Sequence, residues 1–258
     1  MMAHLFDDWS RVAGRLRAAP AIALFLDFDG TLARLRPRPE QVLLHGSVRQ
    51  VLAVLARCPR FRVWVISGRR RDDVRARMRV PRVRYLGLHG WEGDSGGPLA
   101  RRELADATRL ALPRLRSSVE AAMAGVRPVW VEDKEYAFTV HYRGVAEGDV
   151  RRVRSVLGTV VAPFSRRFRI ARGRKVWEVL PREIGDKGVA VRRQLAFLSE
   201  PAVPVYVGDD RVDEPAFAAL RDGVTVRVGG KGPSRARYRL RGVSEVGAFL
   251  NKLKEEFA

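Results

Sequence analysis

Five short apolar runs, rich in β-branched residues, punctuate this chain: Ala21–Leu26, Phe61–Ile66, Val83–Leu88, Val203–Val207 and Val224–Val228. Runs without polar alternation suit strands buried on both faces, the situation of a parallel sheet covered by helices. Segments of helical period lie between them. In Ser47–Ala56, Val48, Val51, Leu52 and Leu55 fall on one helical face. Lys187–Leu198, Glu214–Leu220 and Gly247–Glu256 read as further helices. Strands alternating with helices predict an α/β, doubly wound architecture.

The middle of the chain breaks this rhythm. Leu104–Met123 reads as helix, with Pro113 starting a new one or kinking it. Val129–Glu132 and Ala137–Tyr142 read as a strand pair, and Asp149–Leu157 as a short helix. Phe168–Ala171 and Lys175–Leu180 form a predicted hairpin around Arg172-Gly173. This order is an α+β unit inserted into an α/β chain. Residues 1–106 and 181–258 are expected to build one domain together, and residues 107–180 a smaller inserted one.

Ligands of open α/β sheets bind beyond the carboxyl ends of the strands. The residues there are Asp27-Phe28-Asp29-Gly30-Thr31, Ser67-Gly68-Arg69, His89-Gly90 and Gly208-Asp209-Asp210. Acids gathered at one sheet edge repel each other, and such clusters suit a hard cation with oxygen ligands, such as Mg²⁺. Asp27 and Asp29 are two apart in extended chain, so their side chains share a side while Phe28 points away. One carboxylate suits attack on phosphorus, the other proton exchange with the leaving oxygen. A lone Asp-x-Asp reads better as a turn that caps a helix; its place after an apolar strand, beside the other strand ends, favours the chemical reading.

Asp27-Phe28-Asp29-Gly30-Thr31-Leu32, Ser67 after Val63-Trp64-Val65-Ile66, Lys187, and Gly208-Asp209-Asp210 with Asp213-Glu214 stand in order along the chain. The set resembles the four motifs of the haloacid-dehalogenase-like phosphohydrolases. The resemblance implies a Rossmann-like core with a cap inserted between the second and third motifs. It implies Asp27 as nucleophile and Mg²⁺ ligand. Asp29 becomes the general acid and then base, its backbone carbonyl also binding the metal, and Asp209 a further metal carboxylate. Ser67 and Lys187 would hold the phosphoryl oxygens. Asp210 and Asp213 are left with three readings: metal contact through water, orientation of Lys187, or capping of the helix that begins at Pro215.

A narrower resemblance is to the trehalose-6-phosphate phosphatases. Ser67-Gly68-Arg69, His89-Gly90-Trp91-Glu92, Glu132-Asp133-Lys134, His141-Tyr142-Arg143 and Lys175-Val176-Trp177-Glu178 carry it. It implies hydrolysis of trehalose 6-phosphate, with Glu132, Lys134, Arg143 and Glu178 contacting the sugar rings. A disaccharide offers many hydroxyls, and fixed polar groups recognise them because wrong ligands leave partners unpaired. An ordinary surface salt-bridge set is the competing reading of these four. Sucrose phosphate or a glycosyl-phosphoglycerate is the alternative substrate, although Glu132 and Glu178 disfavour a ligand that carries a carboxylate. His89 is expected behind the site, and His141 reads alike. Arg69 assists phosphate, serves a hinge, or opens a solvated helix. Val212 stands where this family usually carries Thr.

Charge supplies a rival class. The 258 residues include 49 Lys+Arg against 29 Asp+Glu, a net charge of +20, which suggests a nucleic-acid binder. Arg235, Arg237, Arg239 and Arg241 alternate with Ala236, Tyr238 and Leu240, making one basic face on a strand or a charge-guarded edge. Yet 43 of the basic residues are Arg, spread through every segment. A dedicated binding arm concentrates charge, so composition is the preferred explanation and no nucleic-acid partner is expected. The longest apolar run, Ala18–Leu26, is too short to span a bilayer, and no cleavage site follows it. One cysteine, Cys58, permits no internal disulfide, and a cytoplasmic, membrane-free monomer is expected.

Overall fold

The computed structural model describes residues 2–93, 103–173, 175–230 and 232–258. In chain order the elements are β1 (Ala3–His4), α1 (Trp9–Ala18), β2 (Ala21–Leu26), α2 (Gly46–Arg57), β3 (Phe61–Ile66), α3 (Arg71–Met78) and β4 (Arg84–Leu86). There follow α4 (Asp106–Met123), β5 (Trp130–Asp133), β6 (Phe138–His141), α5 (Glu147–Val161), β7 (Phe168–Gly173) and β8 (Val176–Pro181). The chain continues through α6 (Lys187–Ala196), β9 (Ala202–Gly208), α7 (Glu214–Ala219), β10 (Val224–Val228), β11 (Tyr238–Leu240) and α8 (Val243–Phe257). Two compact units result, Met1–Arg101 with Asp186–Ala258, and Arg102–Gly185.

The first unit is built on a seven-stranded sheet in the order β1-β11-β10-β9-β2-β3-β4, every pair parallel. The expected α/β core is thus present. Both sheet faces are buried, which is why its strands carry no polar alternation. From β2, Ile22, Leu24 and Leu26 join one core with residues of α1, α2, α3 and α8. Ala23 and Phe25 join the other, with Ala190 and Val191 of α6 and Ala216 and Phe217 of α7. Trp64 of β3 follows the same rule, stacking on Phe25 at 4.6 Å between ring centroids.

The run expected to continue to Leu88 stops pairing at Leu86. Gly87 is hydrogen-bonded to Glu92, and Leu88–Gly90 form a short 3₁₀ turn. The arginine-rich strand β11 is not the sheet's edge, because the two residues of β1 pair outside it. Its alternation is real: Arg235, Arg237, Arg239 and Arg241 are exposed, and Ala236 and Leu240 are buried.

The second unit is an antiparallel sheet in the order β5-β6-β8-β7 with helices α4 and α5. The register aligns Glu132, Thr139, Glu178 and Ala171 across one face, and Asp133, Phe138, Val179 and Ile170 across the other. Pro113 neither ends nor divides α4, which runs unbroken for 18 residues.

Candidate active site

Strand β2 ends at Leu26, and Asp27 continues it by donating its N–H to the Val207 carbonyl of β9 at 2.9 Å. The chain then turns back, with Leu32 and Ala33 N–H both donating to the Phe28 carbonyl. Gly30 sits in this turn at φ 87°, the left-handed region, and a Cβ there would meet the Asp209 carboxylate at 2.2 Å. The turn from β2 and the end of β9 therefore approach as closely as backbone and carboxylate allow.

Lys187 opens α6 after Asp186, whose side chain accepts the Val189 N–H at 2.9 Å and caps the helix. The lysine ammonium donates to Asp27 Oδ1 at 2.6 Å and to Asp213 Oδ1 at 2.7 Å. All three side chains are buried. Asp213 also accepts from the Tyr206 hydroxyl at 2.8 Å and from the Asp210 N–H at 3.0 Å. Asp210 accepts the Arg211 N–H, closing a reciprocal capping box with Asp213 on the turn Arg211–Asp213. Asp213 thus ties the cap of that turn to the lysine.

Oxygen atoms of Asp27, Asp209 and Asp213 lie within 4.8 Å of one another. Burial pushes the Asp27 carboxyl up to about 7 against the pull of Lys187, with Asp213 adding to the rise. Burial, then Asp27 and Asp213, raise Asp209 to about 9. Burial opposes the charge of Lys187, but Asp213 and Asp27 outweigh it and hold the ammonium well above its usual pKa. One lysine for three buried carboxylates leaves negative charge to be matched. An all-oxygen donor set of this kind fits a hard divalent cation, and Mg²⁺ meets that description.

Asp29 stands apart from this group. Its carboxylate is gripped by both nitrogens of an Arg69 fork, at 2.7 and 2.8 Å. Arg69 also donates to Asp73 and to the Pro39 carbonyl, and lies over the Phe28 ring. Asp29 and Asp73 outweigh burial and raise the guanidinium's pKa. Ser67 is buried, and its hydroxyl accepts the Arg69 N–H at 3.1 Å. His89, at φ 59°, donates its N–H to the Ser67 carbonyl. Beside it, Gly90 lets α6 approach so closely that a Cβ would sit 2.3 Å from that of Ala190. Val212 lies in the capped turn between Arg211 and Asp213.

In the second unit, Glu132, Lys134 and Glu178 come together on one sheet face. Lys134 donates to Glu178 at 3.0 Å, both side chains being buried, and Glu132 pairs with His141 at 2.7 Å. Trp130 stacks flat on His141, with ring centroids 3.9 Å apart. Arg143 lies past the end of β6, exposed.

Sequence reasoning missed one contributor and left the partners of two others unread. Tyr206 looks like any core residue of β9, yet its hydroxyl serves Asp213. Glu92 accepts the Arg71 N–H at the start of α3 and pairs with Arg70. His141 holds Glu132. An aromatic hydroxyl two residues before Gly208 was the available signal for the first; the others depend on tertiary approach.

A parallel sheet with a nucleophile-type aspartate after β2, a buried lysine at the head of α6 and acids after β9 defines a haloacid-dehalogenase-like phosphohydrolase. Within that class the chain belongs to the trehalose-phosphatase family, whose model matches residues 25–244. It is 33% identical over 91% of its length to the probable trehalose-phosphate phosphatase D of Arabidopsis thaliana, covering 67% of that protein. It is 32% identical over 98% of its length to trehalose-phosphate phosphatase B of the same plant, covering 70% of it. The C-terminal domain of a trehalose-6-phosphate phosphatase from C. albicans shares the fold with a TM-score of 0.84 at 18% identity, over 99% of this chain and 98% of that one.

Proposed function

We propose that this protein hydrolyses trehalose 6-phosphate to trehalose and phosphate through an aspartyl-phosphate intermediate. The observation that carries the reading is the Lys187 ammonium seated between Asp27 and Asp213, with Asp209 in reach, in a chain of the trehalose-phosphatase family. Asp27 Oδ attacks phosphorus, and the bond from phosphorus to the sugar oxygen breaks. Asp29, in its acid form, protonates that leaving oxygen, then takes a proton from the water that cleaves the aspartyl phosphate, which returns Asp27 to a carboxylate and Asp29 to its acid form. Lys187 and Ser67 hold the non-bridging oxygens. Asp27, Asp209 and the Asp29 carbonyl would hold Mg²⁺, which when bound would supply positive charge against the anionic phosphoryl group.

Arg69 gives Asp29 a defined resting place, and the proton steps require its carboxylate to exchange that fork for the sugar oxygen or water. Asp213 positions Lys187, and His89 and Asp210 support the strand ends. Glu132, Lys134 and Glu178 present polar groups on one face that suit sugar hydroxyls, and Arg143 adds a cation past the strand end. The inserted unit is thereby read as the cap that selects substrate, and the first unit as the catalytic core. The protein is read as a cytoplasmic monomer without a nucleic-acid partner; no helix among the described residues is long and apolar enough to cross a membrane.

Phosphate release from a panel of trehalose 6-phosphate, sucrose 6-phosphate and glucose 6-phosphate, with and without Mg²⁺, tests the substrate. Equal rates across the panel would remove the trehalose assignment. Asp27→Asn is expected to lower turnover by roughly a thousandfold or more; full activity in that variant would overturn the mechanism.

A further inference from the structure

Arginine is common throughout this chain, but at one place three converge on a cleft. The cleft, of ≈ 390 Å³, lies in the first unit and is lined by Arg11 and Arg15 of α1 and by Arg237 just before β11. Arg11 and Arg15 are one helical turn apart, so both face the same side of α1. Ala3, Val224 and Tyr238, the first residues of β1, β10 and β11, complete the wall with Val12. The cleft is therefore at the amino ends of the strands. Asp27 and Asp209 follow the carboxyl ends of theirs, so the two sites occupy opposite edges of one parallel sheet.

Among the described residues, none of the three guanidinium groups makes a hydrogen bond or ion pair. The single carboxylate of the cleft, Asp8, accepts the Tyr238 hydroxyl at 2.9 Å. Burial and this bond to Asp8 raise the Tyr238 pKa against the opposing charges of Arg11 and Arg237. Three cations facing one anion leave a net charge of two. A phosphate monoester carries about −1.5 to −2 at neutral pH and offers oxygens that arginine forks grip in pairs. The volume falls within the roughly 300–1,000 Å³ of small-molecule sites. Ala3, exposed beside the cleft, offers apolar surface for a small carbon skeleton.

We propose that this cleft binds a phosphate monoester with a small organic body, at a site separate from the one that performs hydrolysis. The binding needs no divalent cation, because the cleft brings its own positive charge, whereas the acidic catalytic edge repels phosphate until a cation is present.

Isothermal titration in EDTA tests this with three probes: inorganic phosphate, phenyl phosphate and benzoate. One saturable site per chain is expected for both phosphates, tighter for phenyl phosphate, and weaker binding for benzoate. The Arg11→Gln/Arg15→Gln/Arg237→Gln variant is expected to lose roughly tenfold or more in affinity. Its Mg²⁺-dependent phosphate release should be unchanged, which also shows that it folds. Arg237→Gln alone carries the same test with a smaller loss if the triple variant is unstable. Absence of saturable binding in EDTA, undiminished affinity in these variants, or benzoate binding as tightly as phenyl phosphate would each overturn the proposal.

Discussion

Gly208 ends β9 without a side chain, and the Asp213 carboxylate occupies the space where one would stand: a Cβ there would lie 2.4 Å from Asp213 Cγ. Gly208→Ala must displace Asp213, and Lys187 with it. Turnover is expected to fall roughly a hundredfold, the order of loss for a displacement near 1 Å at a reacting group, with a far-UV spectrum like that of the parent chain. Arg69→Lys tests a different contact. Lysine keeps the charge but cannot grip Asp29 with two parallel bonds. A several-fold to roughly tenfold lower kcat is expected, with a smaller change in KM; an unchanged kcat would show that Asp29 does not need the fork. The residues beside the strand ends were legible because their chemistry is carried by residue type and by position after an apolar run. Tyr206 was not, since a tyrosine in a buried strand announces packing before it announces a hydrogen bond.

At the scale of elements, legibility followed the strength of the periodic signal. Strands β2, β3 and β10 occupy the residues expected from their apolar runs. Helices α1 and α3 went unread. In α1 only Val12, Ala13 and Leu16 are buried, among three arginines, and α3 buries only Val74 and Met78. Two buried residues in eight make too narrow a stripe to stand out from a charged loop, and tertiary packing supplies the rest. Pro113 is the instructive case, because it starts no new helix. It sits in the interior of α4 on the exposed side, where it cannot donate to the Arg109 carbonyl. The packing of Leu112, Leu115 and Val119 holds the helix together across it. Pro113→Ala is expected to raise stability by about 1–3 kcal/mol, read as a higher Tm.

For the whole molecule, the net charge of +20 says less than the small acidic focus inside it. In the unfolded chain Asp27 and Asp209 ionise near 3.8; in the folded, cation-free chain they hold protons until about 7 and 9. Between those values the native state binds more protons than the unfolded one, so stability falls as pH rises. The fall begins above about pH 4 and is complete only above about pH 9. Bound Mg²⁺ offsets the ionised carboxylates and should flatten the slope. Melting curves in EDTA are expected to show Tm dropping from pH 6 to pH 9, with a much smaller drop in Mg²⁺. Equal slopes under both conditions would contradict the charge balance inferred for the site.

The pairing of β2 with β9 has a consequence for biosynthesis. Asp27 and Lys187 are separated by 160 residues, and β9 comes later still. On the ribosome, β3 can reach one side of β2 early, while the other side waits for about 180 further residues. At typical elongation rates that delay is on the order of ten to thirty seconds. Throughout it the nascent chain carries an apolar strand with an open edge, the feature most prone to capture by another copy. Yield of this protein in a cell should therefore depend on synthesis rate and on chaperones that shield such an edge, more than on the stability of the finished fold.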